Sequence, residues 1–384
     1  MMRMHCLIPI FCLTSCLAHP LVSQLYDSSD SENQSALISL LLLGGTASID
    51  LRYSVIDTGQ TTCYAGAPVT PCGDVSYPGQ DADYVDTPTA RLFVGPVAAG
   101  GFSSDYVVTD SATGLVWKAC TEGQTGANCQ SSGLSSDNYG ADSSVATWTN
   151  AATACSALNS LNGGAGYGGY TDWRLPTALE LATLSDFGAA SPSIDVTHFP
   201  ATVPQQYWTS TELASNTSNA WVVFFTSGFV LNVAKSGTNY VRCVASQSLR
   251  SPEFTDNGDG TISDASSRLV WQKCSNGQSN DTACSGSPTT ANWQSALQYC
   301  NTLSLSGKSW RLPSAAELLS LVDFTQTGTV INGTFFPNTA ANLYWTSTTN
   351  QALSGAGWRV TFATGDLNTT LKAANSRMRC VANL

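Results

Sequence analysis

The second half of this chain repeats the first, and that repeat limits the possible folds more than any other feature. Residues 113–117 (TGLVW) are matched by 267–271 (SRLVW), and 173–177 (WRLPT) by 310–314 (WRLPS). The separation between matched residues falls from 154 positions at the first motif to 137 at the second. The first copy therefore carries about 17 extra residues, in stretches rich in Gly and Ser where loops tolerate insertion: 130–147 and 162–170. A period this long indicates a duplicated domain rather than a solenoid.

Each copy predicts the same order of elements. An opening hairpin is expected from residues 107–109 with 115–117, and from 254–255 with 269–271. Four residues of each first helix fall on one helical face: Trp148, Ala152, Cys155 and Leu158, then Trp293, Leu297, Cys300 and Leu303. The second helix begins with a capping box in each copy: Thr177 with Glu180, and Ser314 with Glu317. Strand-like residues follow, so the prediction is an α+β fold, with domains at 102–248 and 251–384.

The N-terminus reads as an export signal. A basic start, an apolar run over residues 6–13 and small residues before Cys16 predict a signal peptide over residues 1–15. Residues 13–16 (LTSC) resemble the bacterial lipobox, so Cys16 is the expected lipidation site. An ordinary cleavage nearby would leave Cys16 as a free thiol. Residues 16–50 are expected to form a flexible tether, and residues 51–101 an N-terminal segment with one small disulfide loop.

The charge distribution argues against nucleic acid as a partner. The formal net charge is −11 and charged residues make up only 11% of the chain. Basic and acidic residues balance in the second copy, so a polyanion would favour that copy over the first. Five of its residues are the candidate ligand-binding patch, although scattered solvated charges are the alternative: Lys308, Arg359, Lys372, Arg377 and Arg379.

The thirteen cysteines indicate an oxidising compartment. Cys6 and Cys12 leave with the signal and Cys16 takes the lipid, so ten remain for disulfides. Four cysteines in each copy allow three connectivities, of which we favour a short and a long loop per copy. The expected pairs are Cys63–Cys72, Cys120–Cys129, Cys155–Cys243, Cys274–Cys284 and Cys300–Cys380. Zinc is the alternative, but the chain has no CxxC pair and the mature histidines are only His19 and His198.

Catalytic and metal sites find little support in the sequence. The carboxylates of Glu180 and Asp186 lie six residues apart, which puts them on different helical faces, and a salt bridge from Glu180 to Arg174 is the simpler interpretation. Residues 256–260 (DNGDG) do not have EF-hand spacing, so a turn is favoured over calcium. Trp208 and Trp345 are expected in the core rather than stacked on sugars. We expect no catalytic residue, metal or cofactor.

These motifs resemble the Lcl C-terminal domain family, named for the end domain of a collagen-like bacterial adhesin. The resemblance rests on residues 114–117 (GLVW), 173–177 (WRLPT), 207–210 (YWTS) and 242–244 (RCV), with their second-copy counterparts. It implies two tandem C-type-lectin-like domains, and the adhesin's domain is associated with sulfated glycosaminoglycans. Residues 174–177 with Glu180 also resemble a segment of formylglycine-generating enzymes, which share that fold but need a reactive cysteine pair.

Together these observations predict a non-enzymatic binding or adhesion module, exported and lipid-anchored at the bacterial outer membrane or cell surface. The expected partners are the membrane, through the lipid, and a glycan or extracellular matrix ligand. A structural envelope lipoprotein without a small ligand is the main alternative, and an activity like that of formylglycine-generating enzymes is the lesser one.

Overall fold

A computed structural model describes residues 53–132 and 145–384, which belong to one compact unit. The predicted signal peptide, Cys16 and the tether over residues 16–50 lie outside the described residues. None of the helices in the described part of the chain is long and apolar enough to cross a bilayer. The fold is mixed α+β, with many short strands and few helices.

The elements of the N-terminal segment and first repeat are mostly strands. Single turns of 3-10 helix lie at Asp81–Asp83, Leu158–Ser160 and Tyr167–Gly169, and a short helical turn at Leu161–Gly164. The helices are α1 (Trp148–Ala157) and α2 (Ala178–Ala182). The strands are β1 (Cys63–Tyr64), β2 (Val69–Thr70), β3 (Phe93–Ala98), β4 (Tyr106–Asp110), β5 (Val116–Lys118), β6 (Gln124–Thr125), β7 (Ser131–Ser132), β8 (Val145–Thr147), β9 (Gln206–Glu212), β10 (Asn219–Phe224), β11 (Phe229–Ala234), β12 (Thr238–Tyr240) and β13 (Val244–Ala245).

The second repeat restates this order with fewer elements. Its helices are α3 (Trp293–Thr302) and α4 (Ala315–Leu319). Its strands are β14 (Phe254–Asp256), β15 (Thr261–Asp264), β16 (Leu269–Gln272), β17 (Leu343–Thr349), β18 (Ala356–Thr361), β19 (Leu367–Leu371) and β20 (Val381–Asn383).

Each repeat contributes one four-stranded sheet of its own, and both contribute to a shared sheet. The four-stranded sheets have the equivalent orders β13-β5-β4-β3 and β20-β16-β15-β14. The shared sheet has eight strands in the order β17-β18-β19-β11-β10-β9-β12-β8, and its two halves join where Val230 of β11 lies opposite Leu367 of β19. Val230 and Leu367 occupy the same position in the two copies. The contact between the two halves therefore resembles a two-fold interface, in which the same surface of each copy meets its counterpart.

The opening strands begin earlier than the sequence predicts. Phe93 of β3 pairs with Asp110, and Phe254 of β14 pairs with Asp264, at equivalent positions of the two repeats. The opening sheet of the first repeat therefore includes a strand from the predicted N-terminal segment. In the second repeat the hairpin partner of β16 is β15, so the prediction that residues 254–255 pair with 269–271 is wrong. Residues 254–256 form a third strand that pairs on the far side of β15.

Aromatic pairs join the repeats into one core. Trp221 of the first repeat meets Phe324 of the second edge-on at 4.9 Å between ring centroids, and Trp358 meets Phe187 at 5.1 Å. The two pairs exchange equivalent residues, and one hydrophobic cluster contains core residues of both repeats. The two repeats therefore share a sheet and a core. Each also keeps a smaller cluster of its own, around Cys155 and around Cys300.

Five disulfides lie in the described residues, and they join the pairs that the sequence favours. Short loops are closed by Cys63–Cys72, Cys120–Cys129 and Cys274–Cys284. Long loops of 88 and 80 residues are closed by Cys155–Cys243 and Cys300–Cys380. Each long bridge ties the first helix of a repeat to its last buried segment.

The helix signals hold, with one exception. Both predicted capping boxes are present, with the hydroxyls of Thr177 and Ser314 accepting from the amides of Glu180 and Glu317. Such caps stabilise a helix by about 1 kcal/mol each. Ala152, predicted on the buried face of α1, is exposed, while Ala151 is buried. The buried face of α1 is therefore shifted by one position from the predicted face. The shift arises because Cys155 anchors α1, and because the small apolar residues of the helix favour one face only weakly.

Candidate binding faces of the two repeats

Each repeat fixes the segment before its second helix to that helix through an ion pair with a buried glutamate. Arg174 makes two hydrogen bonds of 2.7 Å to the Glu180 carboxylate, and Arg311 makes two of 2.5 Å to Glu317. Each carboxylate also accepts from its N-cap amide, and both glutamate side chains are fully buried. The predicted salt bridges are therefore present, and the two glutamates are occupied by structural contacts.

A lysine lies over a tryptophan at the start of the first helix in each repeat. The Nζ atom lies 3.9 Å from the ring centroid, both for Lys235 over Trp148 and for Lys372 over Trp293. Both indole N–H groups donate 2.8 Å hydrogen bonds to strand carbonyls, of Thr209 and Thr346 respectively. A cation held over an indole is attracted by the ring quadrupole, so this geometry is a repeated feature of the fold.

A threonine hydroxyl and a strand edge complete each face. Thr211 and Thr348 accept from the first amide of the second helix, at 3.0 Å from Ala178 and 2.8 Å from Ala315. We define the first-repeat face as Trp148, Arg174, Thr211, Glu212 and Lys235, and the second-repeat face as Trp293, Arg311, Thr348, Thr349 and Lys372. The faces differ in composition only at Glu212 and Thr349.

Residues 58–84, which we call the cap, cover the second-repeat face. The side-chain amide of Gln60 donates to the Thr349 carbonyl at 2.8 Å and accepts from the Thr349 amide at 2.9 Å. The Asp81 carboxyl accepts from the hydroxyls of Thr348 at 2.5 Å and Thr58 at 2.7 Å. The cap thereby satisfies both the strand edge and the threonine hydroxyl of this face.

The cap also covers the charged and aromatic groups of the second-repeat face. The Tyr84 ring lies 5.0 Å from the Arg311 guanidinium, and the Tyr77 ring lies 6.2 Å from the Trp293 ring. Lys372 donates to the Gly66 carbonyl at 2.9 Å. Burial lowers the pKa of Lys372 to about 7, because desolvation disfavours the charged ammonium.

Burial also raises the pKa of Asp81, the acid that the cap places against the second repeat. Desolvation raises the pKa of Asp81 to about 7, although the hydrogen bonds from Thr348 and Thr58 oppose that shift. The nearby carboxylates of Asp57 and Glu317 raise it further. The contact between the cap and the second repeat thus buries one acid and one base, and in both groups burial favours the neutral form.

The first-repeat face has the same groups but stays open to solvent. Thr348 and Thr349 are fully buried, whereas Thr211 is half-buried and Glu212 is exposed. The Arg174 side chain is 31% exposed, against 5% for Arg311. Lys235 forms an ion pair with Glu212 at the surface.

The predicted basic patch needs correction at two of its five residues. Arg379 is fully buried and donates to the carbonyls of Gln272 and Lys273 and to the Thr339 hydroxyl, so its role is structural. Lys372 is also buried, under the cap. Burial of these two cations against backbone and cap removes them from any surface. The other three are accessible to different degrees: Lys308 is exposed, and Arg359 and Arg377 are half-buried.

Other candidate residues have structural roles. Trp208 and Trp345 are fully buried and donate to the carbonyls of Ala146 and Ala291, so they belong to the core as predicted. Asp256, the last residue of β14, accepts a hydrogen bond from Lys273 at 2.7 Å. In the described part of the chain, the one cluster with metal-ligand geometry is Cys63, Cys72 and Asp83. Its two sulfur atoms are joined in a disulfide and so offer no thiolate.

The sequence analysis missed the first-repeat face, although the signal was present. Trp148 with Lys235, and Trp293 with Lys372, occupy matching positions in the two copies. A repeated tryptophan alone indicates the core. A lysine repeated with it indicates a surface contact, because an ammonium group is rarely buried without a partner.

The fold and these faces define a class of protein: a tandem pair of α+β repeats, each with its own disulfides, of which one has a covered polar face and the other a more open one. Residues 106–245 and 260–382 match the Lcl C-terminal domain family. These two matches span more than half of the chain, so the chain belongs to the Lcl C-terminal domain family, with two copies of the domain. Comparison with curated proteins found no match.

Proposed function

We propose that this protein is a non-enzymatic binding module of the cell surface, and that the first-repeat face is its ligand-binding surface. One observation carries this proposal. The second-repeat face binds a polypeptide segment through Thr348, Thr349 and Lys372, while in the first repeat Thr211 and Lys235 are half-buried and Glu212 is exposed. A surface that is able to bind in one copy and is open in the other is the natural candidate for an external ligand.

A non-enzymatic role is supported by how the reactive groups are used. The ten cysteines of the described residues all lie in disulfides, which argues against the reactive cysteine pair of formylglycine-generating enzymes. Glu180 and Glu317 each hold an arginine and an N-cap amide. His198 is paired with Asp195 at 2.6 Å.

The finer fold assignment is also part of the proposal. We assign each repeat to the C-type-lectin-like fold, on the basis of its opening hairpin, two helices, antiparallel strands and long disulfide. Thr211 and Glu212 lie at the end of β9, the first strand after the second helix.

We further propose that the chain is exported, cleaved before Cys16 and lipid-anchored at the bacterial outer membrane or cell surface. The lipobox-like residues 13–16 and the ten disulfide-bonded cysteines support this location. Metabolic labelling with palmitate should mark the wild-type chain and not the Cys16→Ala variant. A labelled Cys16→Ala variant, or an unlabelled wild type, would refute the anchor.

Binding to a glycan array, and to heparin across a salt series, tests the binding function. We expect saturable binding that Trp148→Ala weakens at least fivefold, because the half-exposed indole lies at the centre of the first-repeat face. Val196→Ala is the control, since Val196 is exposed in the same repeat outside the face. If the chain with intact disulfides binds no glycan, heparin or protein probe, the alternative of a structural envelope lipoprotein is favoured instead. The core shared by the two repeats suits such a rigid role.

A further inference from the structure

We infer that the first-repeat face binds a polypeptide segment of another protein, one that presents a side-chain amide and a carboxyl group as the cap presents Gln60 and Asp81. This inference rests on the proposed binding function and names its partner by chemistry. Its basis is that the chain itself contains a bound example, on the equivalent face of the second repeat.

The strand edge of the second-repeat face binds the cap through backbone groups. Gln60 pairs with the backbone amide and carbonyl of Thr349, in the manner of an added strand. A backbone amide and carbonyl are present whatever the side chain is. Glu212 holds the position in the first repeat that Thr349 holds in the second, because Glu212 lies opposite Ala220 as Thr349 lies opposite Gly357. Glu212 is exposed and holds the position at which Thr349 offers a backbone donor and acceptor, so it offers the same two groups to an incoming amide.

The hydroxyl of Thr211 marks a subsite for a carboxyl group of the partner. Thr211 has the same helix-amide donor as Thr348, which orients its hydroxyl in the same way. In the second repeat that hydroxyl donates to Asp81. The Arg174 guanidinium is 31% exposed, against 5% for Arg311, and each of these arginines is paired with a glutamate. A carboxyl group of the partner would thus gain a hydrogen bond from the Thr211 hydroxyl.

The tryptophan of each face marks a subsite for an aromatic side chain. Trp293 is covered by the Tyr77 ring, and Lys372 lies 5.3 Å from the Tyr64 ring. Trp148 and Lys235 hold the same mutual geometry and are only half-buried. An aromatic side chain of the partner would bury the remaining indole surface, and such pairs contribute beyond their area.

Residue differences distinguish the partner from the cap itself. Gln294 and Gln298 donate to the Ser76 carbonyl of the cap, and Thr149 and Thr153 replace them in the first repeat. Glu212 replaces Thr349 and pairs with Lys235. The partner should therefore make fewer contacts to α1 than the cap makes to α3. Its amide should also tolerate the neighbouring Glu212 carboxylate, or a basic group of the partner should neutralise that carboxylate. The cap sequence is a usable but weakened probe for this site.

The experiment uses the full chain and a labelled synthetic peptide of residues 57–86, closed by its Cys63–Cys72 disulfide. Fluorescence polarisation should show saturable binding, weakened at least fivefold by Trp148→Ala and by Thr211→Val but unchanged by Val196→Ala. Glu212→Thr should tighten binding at least threefold, because it restores the second-repeat residue. A double-mutant cycle between Thr211→Val and a peptide with Asp81→Ala should show non-additive losses, because the two groups contact each other.

Three results would overturn the inference. The first is no saturable binding of the peptide to the wild type or to Glu212→Thr. The second is a cycle in which the peptide aspartate couples to Thr348 rather than Thr211, since the peptide would then be exchanging with the cap. The third is glycan binding that Trp148→Ala abolishes while no peptide binds, which leaves the proposed binding function intact and removes only the polypeptide partner. Near-UV circular dichroism establishes that each variant is folded.

Discussion

The hydroxyl of Thr348 donates a 2.5 Å hydrogen bond to the buried carboxyl of Asp81, which ties the cap to the second repeat. In the first repeat Thr211 holds the same strand position and the same helix-amide bond, yet remains half-buried. A duplicated strand thus serves as an internal docking edge in one copy and as an exposed edge in the other. The first three predictions concern the groups that this docking buries, and the last two concern the core and the disulfides.

Replacing Asp81 by Asn should remove a fall in stability between pH 4 and pH 7. Burial raises the pKa of Asp81 from 3.8 to about 7. Between these values the folded chain holds a proton that the unfolded chain has lost, so the free energy of unfolding falls as the pH rises, and it levels off above pH 7. Urea unfolding at each pH should find Asp81→Asn more stable than the wild type at pH 8. The control is Asp74→Asn, at an exposed aspartate whose pKa is lowered. A variant less stable than the wild type at pH 8 would contradict the prediction.

Replacing Lys372 by Met should remove a rise in stability between pH 7 and pH 10.5. Desolvation lowers the pKa of Lys372 from 10.5 to about 7, so over this range the unfolded chain holds a proton that the folded chain has lost. The free energy of unfolding of the wild type should therefore increase with pH there. Met keeps an apolar stem over Trp293 without a titrating group. Parallel pH profiles for wild type and Lys372→Met would show that the buried ammonium is not the cause.

Glu317→Gln should destabilise the chain more than Glu180→Gln. Arg311 is 5% exposed and loses its buried partner in the first variant, which costs about 3–5 kcal/mol for an uncompensated buried charge. Arg174 is 31% exposed and is rehydrated in the second variant, so about 1.5–3 kcal/mol for a charged hydrogen bond is expected. Urea unfolding of both variants measures the difference. Equal losses would mean that the cap does not shield Arg311 from water.

Local signals in the sequence predicted most of each repeat. The capping boxes at Thr177 and Ser314 are correct because the hydroxyl, the Glu side chain and two amides all lie within four residues. The salt bridge of Arg174 with Glu180 is likewise local. The long disulfides are consistent with the sequence because the repeat itself divides ten cysteines into matching sets.

Contacts between distant segments were not predictable in the same way. Nothing near Lys372 or Arg379 distinguishes a surface cation from a buried one, and both are buried by segments about 100 or more positions away, through Gly66 and Gln272. Within residues 53–132 and 145–384 no segment contacts Thr211 as the cap contacts Thr348, and this difference is a tertiary property. The shared core was missed because Trp221 and Phe324 look like ordinary core residues of separate domains.

Phe187→Ala should destabilise both repeats together. The Phe187 ring is 5% exposed, meets Trp358 of the second repeat edge-on and lies against Gly228. Its removal leaves a cavity in the shared cluster, with an expected cost of about 3–5 kcal/mol. Hydrogen exchange should show that amides in β18 lose protection along with amides in β10. Two separate unfolding transitions, with β18 unaffected, would mean that the repeats are energetically independent despite the shared sheet.

Removing a long disulfide should cost more than removing a short one in the same repeat. Cys300–Cys380 closes 80 residues and Cys274–Cys284 closes 10, and all four sulfur atoms lie in buried residues. In the chain-entropy view, loops of these lengths stabilise by about 4.5 and about 2.7 kcal/mol, because the longer loop restricts the unfolded chain more. Urea unfolding of the two double Cys→Ala variants tests this ranking.

The first repeat supplies an independent copy of the same disulfide experiment. Cys155–Cys243 closes 88 residues and Cys120–Cys129 closes 9, so the same order of losses is expected there. Agreement between the repeats would assign the effect to loop length, since the two copies differ in sequence around each bridge. If the short loops prove more costly in both repeats, native contacts near Cys120 and Cys274, rather than restriction of the unfolded chain, would account for the stabilisation.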